Sequence, residues 1–170
     1  MSKAFTRESD EESEWPALPR QVSPLPPGAK NYLTPGGAQR LREELERLLH
    51  EERPKIAAER EQPDARRQLQ AIDQKIRYLE QSALSAVIVA APAKPWDQVR
   101  FGATVTVRNK GGAESKYRIV GVDETDLARD WVSWLSPIAK ALLNARLGER
   151  VVLKLFSGDE ELEVMEIEYE

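Results

Sequence analysis

The sequence predicts an α+β protein: an antiparallel helical hairpin followed by a small antiparallel-sheet domain with one short helix. Three observations carry that reading. Apolar residues recur at three- and four-residue steps from Ala38 to Ala83, the period changes to two after Val99, and proline-rich stretches stand before and between these regions. The expected organisation is a flexible acidic and proline-rich tail over 1–30, the hairpin over 31–88, a linker over 89–98 and the sheet domain over 99–170.

Residues 1–30 hold five of the eleven prolines (Pro16, Pro19, Pro24, Pro26, Pro27) and the acids Asp10, Glu11, Glu12 and Glu14. Such a segment buries too little apolar surface to offset the entropy of ordering it. Phe5 and Trp15 are its docking candidates.

The first helix opens at "YLTPGG", with Thr34 as N-cap and Pro35 at the first helical position. Gly36 and Gly37 weaken that first turn. Beyond it Ala38, Leu41, Leu45 and Leu48 form a stripe that fades toward Glu52 and Lys55, and Pro54 removes a backbone donor. The second helix is expected from Asp64 to Ser85, where Ala65, Leu69, Ile72, Ile76, Leu79 and Ala83 keep a heptad spacing. Two seamed helices with a short link read as an antiparallel coiled-coil hairpin, firm near its base and solvated near its corner.

In the second half, "VRFGATVTVRNKGGAESKYRIVGVD" alternates apolar and polar residues on both sides of "NKGG", a hairpin signal. "WVSWLS" is a short strand candidate. "SPIAKALLNARLG" reads as a helix with Ser136 as N-cap, Pro137 next and Gly148 past its end. "ERVVLKLFSGDEELEVMEIEYE" reads as a second hairpin turning at Ser157, Gly158 and Asp159.

Composition narrows the function. No apolar run reaches the roughly 18 residues of a membrane helix, the start lacks the basic-then-apolar order of a secretory signal, and a cytoplasmic location is expected. With no cysteine, disulfides, thiol catalysis and zinc–thiolate sites are excluded. The formal net charge of −4 lacks the basic surplus of a protein that grips DNA by its phosphates, so a protein partner is expected.

Motifs for chemistry are few. His50 stands among acids on the first helix and reads as a surface residue. No phosphate-cradling glycine loop occurs. Trp131 and Trp134 flank a strand, and both core and partner-contact roles stay open for them. The corner "EREQPDARRQ" carries Glu61 and Asp64. Paired carboxylates can hold Mg²⁺, but two alone leave the site for another molecule to complete. Equally, Pro, Asp and Gln are ordinary turn residues, and Asp64 can simply cap the second helix.

"KNYLTPGGAQRLREEL", "EERPKI", "AIDQKIRYLE", "FGATVTV", "YRIVGVDE", "VSWLSPIAKALL" and "LGERVVL" resemble, in this order, the GreA/GreB transcript-cleavage factors. "MSKAFTRESD" and "PPGAKNY" look like the GreB branch. The resemblance implies a coiled-coil hairpin and an FKBP-like C-terminal domain that docks at the rim of the secondary channel of bacterial RNA polymerase. In such factors two acids at the hairpin tip help hold the polymerase's second Mg²⁺ and activate the water that cuts backtracked RNA, a two-ion displacement.

The family's tip motif, Gly-Asp-x-x-Glu-Asn, is missing between "ERPKI" and "AIDQKIR". A loss of about six residues per arm, at about 1.5 Å each, shortens the hairpin by on the order of 10 Å. Neither Glu61 nor Asp64 inherits the catalytic role by motif match.

The resulting expectation is a monomeric, GreB-like elongation factor with weak or no cleavage stimulation. It is not itself an enzyme, has no cofactor of its own, and meets nucleic acid only through the polymerase. The partner-binding candidates are Trp134, Ser136, Pro137 and Ile138. Two alternatives stand beside it: an active cleavage factor using Asp64 or Glu61 at the polymerase Mg²⁺, and a peptide-binding or prolyl-isomerase-like module on the C-terminal domain. The second rests on fold alone, which does not determine function.

Overall fold

The computed structural model describes residues 25–59 and 61–170, and the expectations for Phe5, Trp15 and the acidic cluster lie outside them. A short strand β1 (Asn31–Leu33) leads into helix α1 (Pro35–Arg47). Thr34 caps α1 as expected, its hydroxyl accepting from the Gly37 amide at 3.0 Å. The helix widens into one π turn over Leu48–Glu52 and resumes as α2 (Arg53–Ala58). Pro54 has no amide hydrogen to continue the α ladder, and the Arg53 amide just before it reaches back to the Leu48 carbonyl.

Helix α3 (Ala65–Ser85) returns along this first arm. As position advances along the first arm, its partners on α3 step backward: Leu41 lies near Leu79, Leu48 packs with Ile72 and Ile76, and Arg53 binds Asp73 at 2.6 Å. The arms are therefore antiparallel. Near the base, Leu33, Ala38 and Leu41 are buried with Leu79 against them. Farther out Leu48, Ile72 and Ile76 form a second cluster flanked by Leu45, Leu49 and Ile56. Burying one such side chain contributes roughly 1.5–3 kcal/mol. α2 has no fully buried residue, so the arm loosens toward the corner as its sequence predicts.

The seam departs from its heptad at the base, where Ala83 is exposed and Ser82 is buried instead. Ser82 has polar work there, accepting from the Asn31 side chain at 3.0 Å. Strand β2 (Ala86–Ile88) then pairs in parallel with β1, a small sheet that the sequence reading omits. The 89–98 stretch is anchored at both ends. The Val89 amide donates to Leu33 at 2.9 Å, and Trp96 packs 5.4 Å from Tyr169.

The second unit is a five-stranded sheet made of β3 (Thr104–Asn109), β4 (Glu114–Val120), β5 (Trp131–Ser133), β6 (Arg150–Leu155) and β7 (Gly158–Glu168). Its order is β5-β4-β3-β7-β6. Three of its pairings are antiparallel as expected, but β5 runs parallel to β4. The chain between β4 and β5 crosses over through two single turns of 3₁₀ helix, Val122–Glu124 and Leu127–Arg129.

Asn109 closes the NKGG turn by accepting from the Ala113 amide at 2.9 Å. The second hairpin turns at Phe156 and Ser157, one residue earlier than expected, because Gly158 already begins β7. In β7 the buried positions are Leu162, Val164 and Ile167, since a bulge opposite Thr106 and Val107 adds one residue. Helix α4 (Pro137–Leu142) covers the sheet and contributes the buried Ala139 and Leu142. It stops six residues before Gly148, because Asn144 adopts a left-handed conformation (φ 70°) and the chain turns there.

Candidate functional site

Glu61 and Asp64 stand at the corner between the arms, both exposed. Asp64 occupies the N-cap position of α3, yet its side chain makes no capping bond and its backbone is already helical (φ −86°, ψ −19°). Its expected capping role is therefore not realised. Ala65, one residue on, is 3% exposed, and its amide donates to the Gln62 carbonyl at 3.2 Å within the turn. Among the described residues no three acidic, histidine or cysteine side chains converge to hold a metal. Ligands from another molecule would have to complete a site at this corner. His50 lies exposed in the π turn, as expected.

The partner-binding candidates gather at the start of α4. The Ser136 hydroxyl accepts from the Ala139 amide at 3.3 Å, and Pro137 beside it is exposed. Ile138 packs partly onto the sheet core. Trp134 stands edge-on to Tyr32, 5.1 Å between ring centroids, and Tyr32 also meets Phe101 at 5.6 Å. The two tryptophans separate as alternation suggests. Trp131 lies under the guanidinium groups of Arg118 (4.6 Å), Arg40 (5.0 Å) and Arg129 (5.3 Å). A cleft of about 460 Å³ beside Trp131 has Lys116, Arg118, Arg129 and Glu168 on its walls and is strongly charged.

Sequence reasoning missed the junction between the two units. Glu124, in the first 3₁₀ turn, has a side chain only 3% exposed. One of its carboxylate oxygens accepts from the amides of Thr34 (2.9 Å) and Gly121 (3.1 Å). The other accepts from the Thr34 hydroxyl (2.5 Å) and Arg40 (3.2 Å). Its neighbour Asp123 accepts from Tyr78 and, at 2.7 Å, from Ser82. The signal available was the pair of glycines opening α1, where glycine is unfavourable unless something must come close.

A charged network also ties the arms together. Glu44 binds Arg47 on its own helix at 2.8 Å and Lys75 on α3. The Arg47 hydrogen bonds, with Lys75 adding to them against the effect of burial, hold its carboxyl down at about 2. The unfolded chain takes up this proton first, so the contribution is complete above about 4.5 and disappears as pH falls through about 2. Acid unfolding of the arms, followed by circular dichroism, should show a shallower loss over that window in Glu44→Gln.

Comparison with known proteins places the chain. Residues 93–169 match the family described as "Transcription elongation factor, GreA/GreB, C-term". Transcription elongation factor GreB of Neisseria meningitidis serogroup B is 40% identical over 154 residues, covering 82% of this chain and 94% of that protein. The chain belongs to the GreA/GreB family. Transcription elongation factor GreA of Halorhodospira halophila is 37% identical over 159 residues, covering 84% of this chain and 99% of that protein. Among solved structures, the GreA factor homolog 1 protein of Thermus thermophilus matches at 26% identity and a TM-score of 0.39, covering 82% of this chain and 99% of that one.

Membership corrects one expectation. A chain with no enzymatic role does not agree with a family of transcript-cleavage factors, whose role is to stimulate RNA cleavage by RNA polymerase. Among the described residues no helix is long and apolar enough to cross a membrane.

Proposed function

We propose that this Gre factor binds bacterial RNA polymerase at the rim of its secondary channel, inserts its helical hairpin and modulates elongation with weakened stimulation of transcript cleavage. On this reading the arms are the family's coiled-coil hairpin, supported by the seam of Leu41, Leu48, Ile72 and Ile76. The curled sheet with α4 is its FKBP-like domain, and the face at Trp134, Ser136, Pro137 and Ile138 makes the polymerase contact. The factor acts in the cytoplasm as a monomer and meets nucleic acid only through the polymerase.

One observation carries the weakened cleavage. The corner is a short turn in which Glu61 and Asp64 are exposed: the Asp64 side chain makes no capping bond, and among the described residues no third acidic, histidine or cysteine side chain joins them. A carboxylate must come within about 2.1 Å of Mg²⁺ to ligate it, and a free side chain on a shortened arm spends little time there. The Mg²⁺ belongs to the polymerase. Glu61 and Asp64 supply the residual activity by approaching it from the tip.

The test is cleavage in backtracked elongation complexes, with polymerase pull-down on the same samples. The expected result is retained binding with cleavage at least about tenfold slower than with a Gre factor carrying the full tip, about 1.4 kcal/mol of barrier. Glu61→Gln with Asp64→Asn should abolish the remainder without loss of binding. Cleavage as fast as that of the full-tip factor, or failure to bind, overturns the reading.

A further inference from the structure

We infer that Asp123 and Glu124 form a clamp that sets the direction of the hairpin relative to the sheet domain, making them positioning residues for delivery of the tip. The inference rests on the polymerase reading above for its consequence, but not for its geometry. Adjacent carboxylates on one 3₁₀ turn divide the two arms between them. Glu124 takes the start of the first arm through the Thr34 amide, the Thr34 hydroxyl and Arg40. Asp123 takes the end of the second arm through Tyr78 and Ser82. Asn31 closes the ring by donating to Ser82.

The backbone is cut to fit this clamp. A Cβ on Gly37 would stand 2.0 Å from the Glu124 carboxylate, and one on Gly121 would stand 2.2 Å from the Tyr32 carbonyl. The carboxylate therefore reaches the helix only because both positions lack a side chain. The chain of donors is directional as well: the Gly37 amide donates to the Thr34 hydroxyl, which donates to Glu124. Such linked bonds to a buried charge hold one geometry.

Leverage explains why this matters. α3 has 21 residues, so at about 1.5 Å per residue it spans about 30 Å, and a swing of about 10° at its base moves the tip by about 5 Å. A misplacement of about 1 Å can already cost about a hundredfold at a reacting centre. The side-chain hydrogen bonds of Asp123 and Glu124 go to the hairpin and to Gly121, not to Trp134, Ser136, Pro137 or Ile138. Binding and delivery can therefore be tested separately, with Trp134 touching the hairpin's base through Tyr32.

The chain has no cysteine, so single cysteines at the exposed Gln62 and Lys110 report the angle through paired spin labels. In Glu124→Gln the amide NH₂ either opposes the Thr34 and Gly121 amides or takes the acceptor from Arg40 and forces the Thr34 hydroxyl to reverse and accept. Asp123→Asn leaves one acceptor for Tyr78 and Ser82 and sits at a half-buried position that tolerates the change. The expected result is a narrow distance distribution in the parent, and one broadened or shifted by about 5 Å or more in each variant. Hydrogen exchange of the sheet core should stay unchanged. On polymerase, pull-down should fall by less than about threefold while residual cleavage falls at least about tenfold. Distributions equal to the parent's overturn the clamp whatever the polymerase result. Altered distributions with cleavage and binding reduced equally overturn its positioning role. Failure of the unsubstituted chain to bind polymerase would instead remove the function proposed above and leave the clamp to be judged on distances alone.

Discussion

Substituting alanine for Gly37 should destabilise the protein by about 2–4 kcal/mol, whereas the same change at the adjacent Gly36 should be neutral or stabilise by up to about 1 kcal/mol. Helix propensity favours alanine at both positions, so the opposite signs must come from what surrounds them. At Gly36 the added methyl would meet the far end of the half-exposed Arg40 side chain at 3.3 Å, which can shift by a few tenths of an ångström, and the Thr34 hydroxyl at an ordinary 4.0 Å. At Gly37 it would stand 2.0 Å from Oε1 and 2.1 Å from Cδ of Glu124. The carboxylate would have to withdraw from the Thr34 amide and hydroxyl, leaving buried polar groups short of partners at about 1–3 kcal/mol. Urea denaturation followed by circular dichroism measures both variants. Equal signs for the two would mean that the contact with Glu124 is not what requires glycine.

The second large effect is expected at Leu48. It is 1% exposed, packs with Ile72 and Ile76, and begins the π turn. Leu48→Ala removes most of a buried side chain between two helices that have few other apolar contacts toward the corner, which costs about 2–5 kcal/mol. The loss should be local. Amide exchange should accelerate from Leu48 to Ile76, while the β3 and β7 amides keep their protection, because the sheet core around Val105, Ile119 and Val164 does not touch the arms' distal cluster. Leu84, 89% exposed on α3, provides the comparison, and Leu84→Ala should change stability by less than about 0.5 kcal/mol. Acceleration spreading equally into the sheet would show that the two units unfold as one.

The elements were readable where local physics sets them. Thr34 and Ser136 cap the helices that follow them, and NKGG turns between β3 and β4, because caps and turns are decided within about four residues. The seam from Ala38 to Leu79 was readable because a helix face repeats every three to four residues. At the base that rule failed. Ser82 rather than Ala83 turns inward, since Asn31 and Asp123 offer it hydrogen bonds that no periodicity reveals. The candidate site divides in the same way. The acids at the corner were legible as residues, but their lack of support was not. Asp64 has the right residue type for a cap and a backbone already too helical to make one.

The order of helices and strands, the faces they bury and their caps follow from patterns within a few residues of each position. So does family membership, since the motifs that carry it are themselves short runs. The junction does not. Glu124 meets Thr34 across 90 positions and Tyr78 meets Asp123 across 45, and β5 joins β4 in parallel after a crossover. Nothing near Gly37 in the chain explains why it must be glycine, and nothing near Glu124 explains why a carboxylate can be buried. Each answers the other, and only the folded chain brings a buried charge together with the donors and the empty space that make its burial affordable.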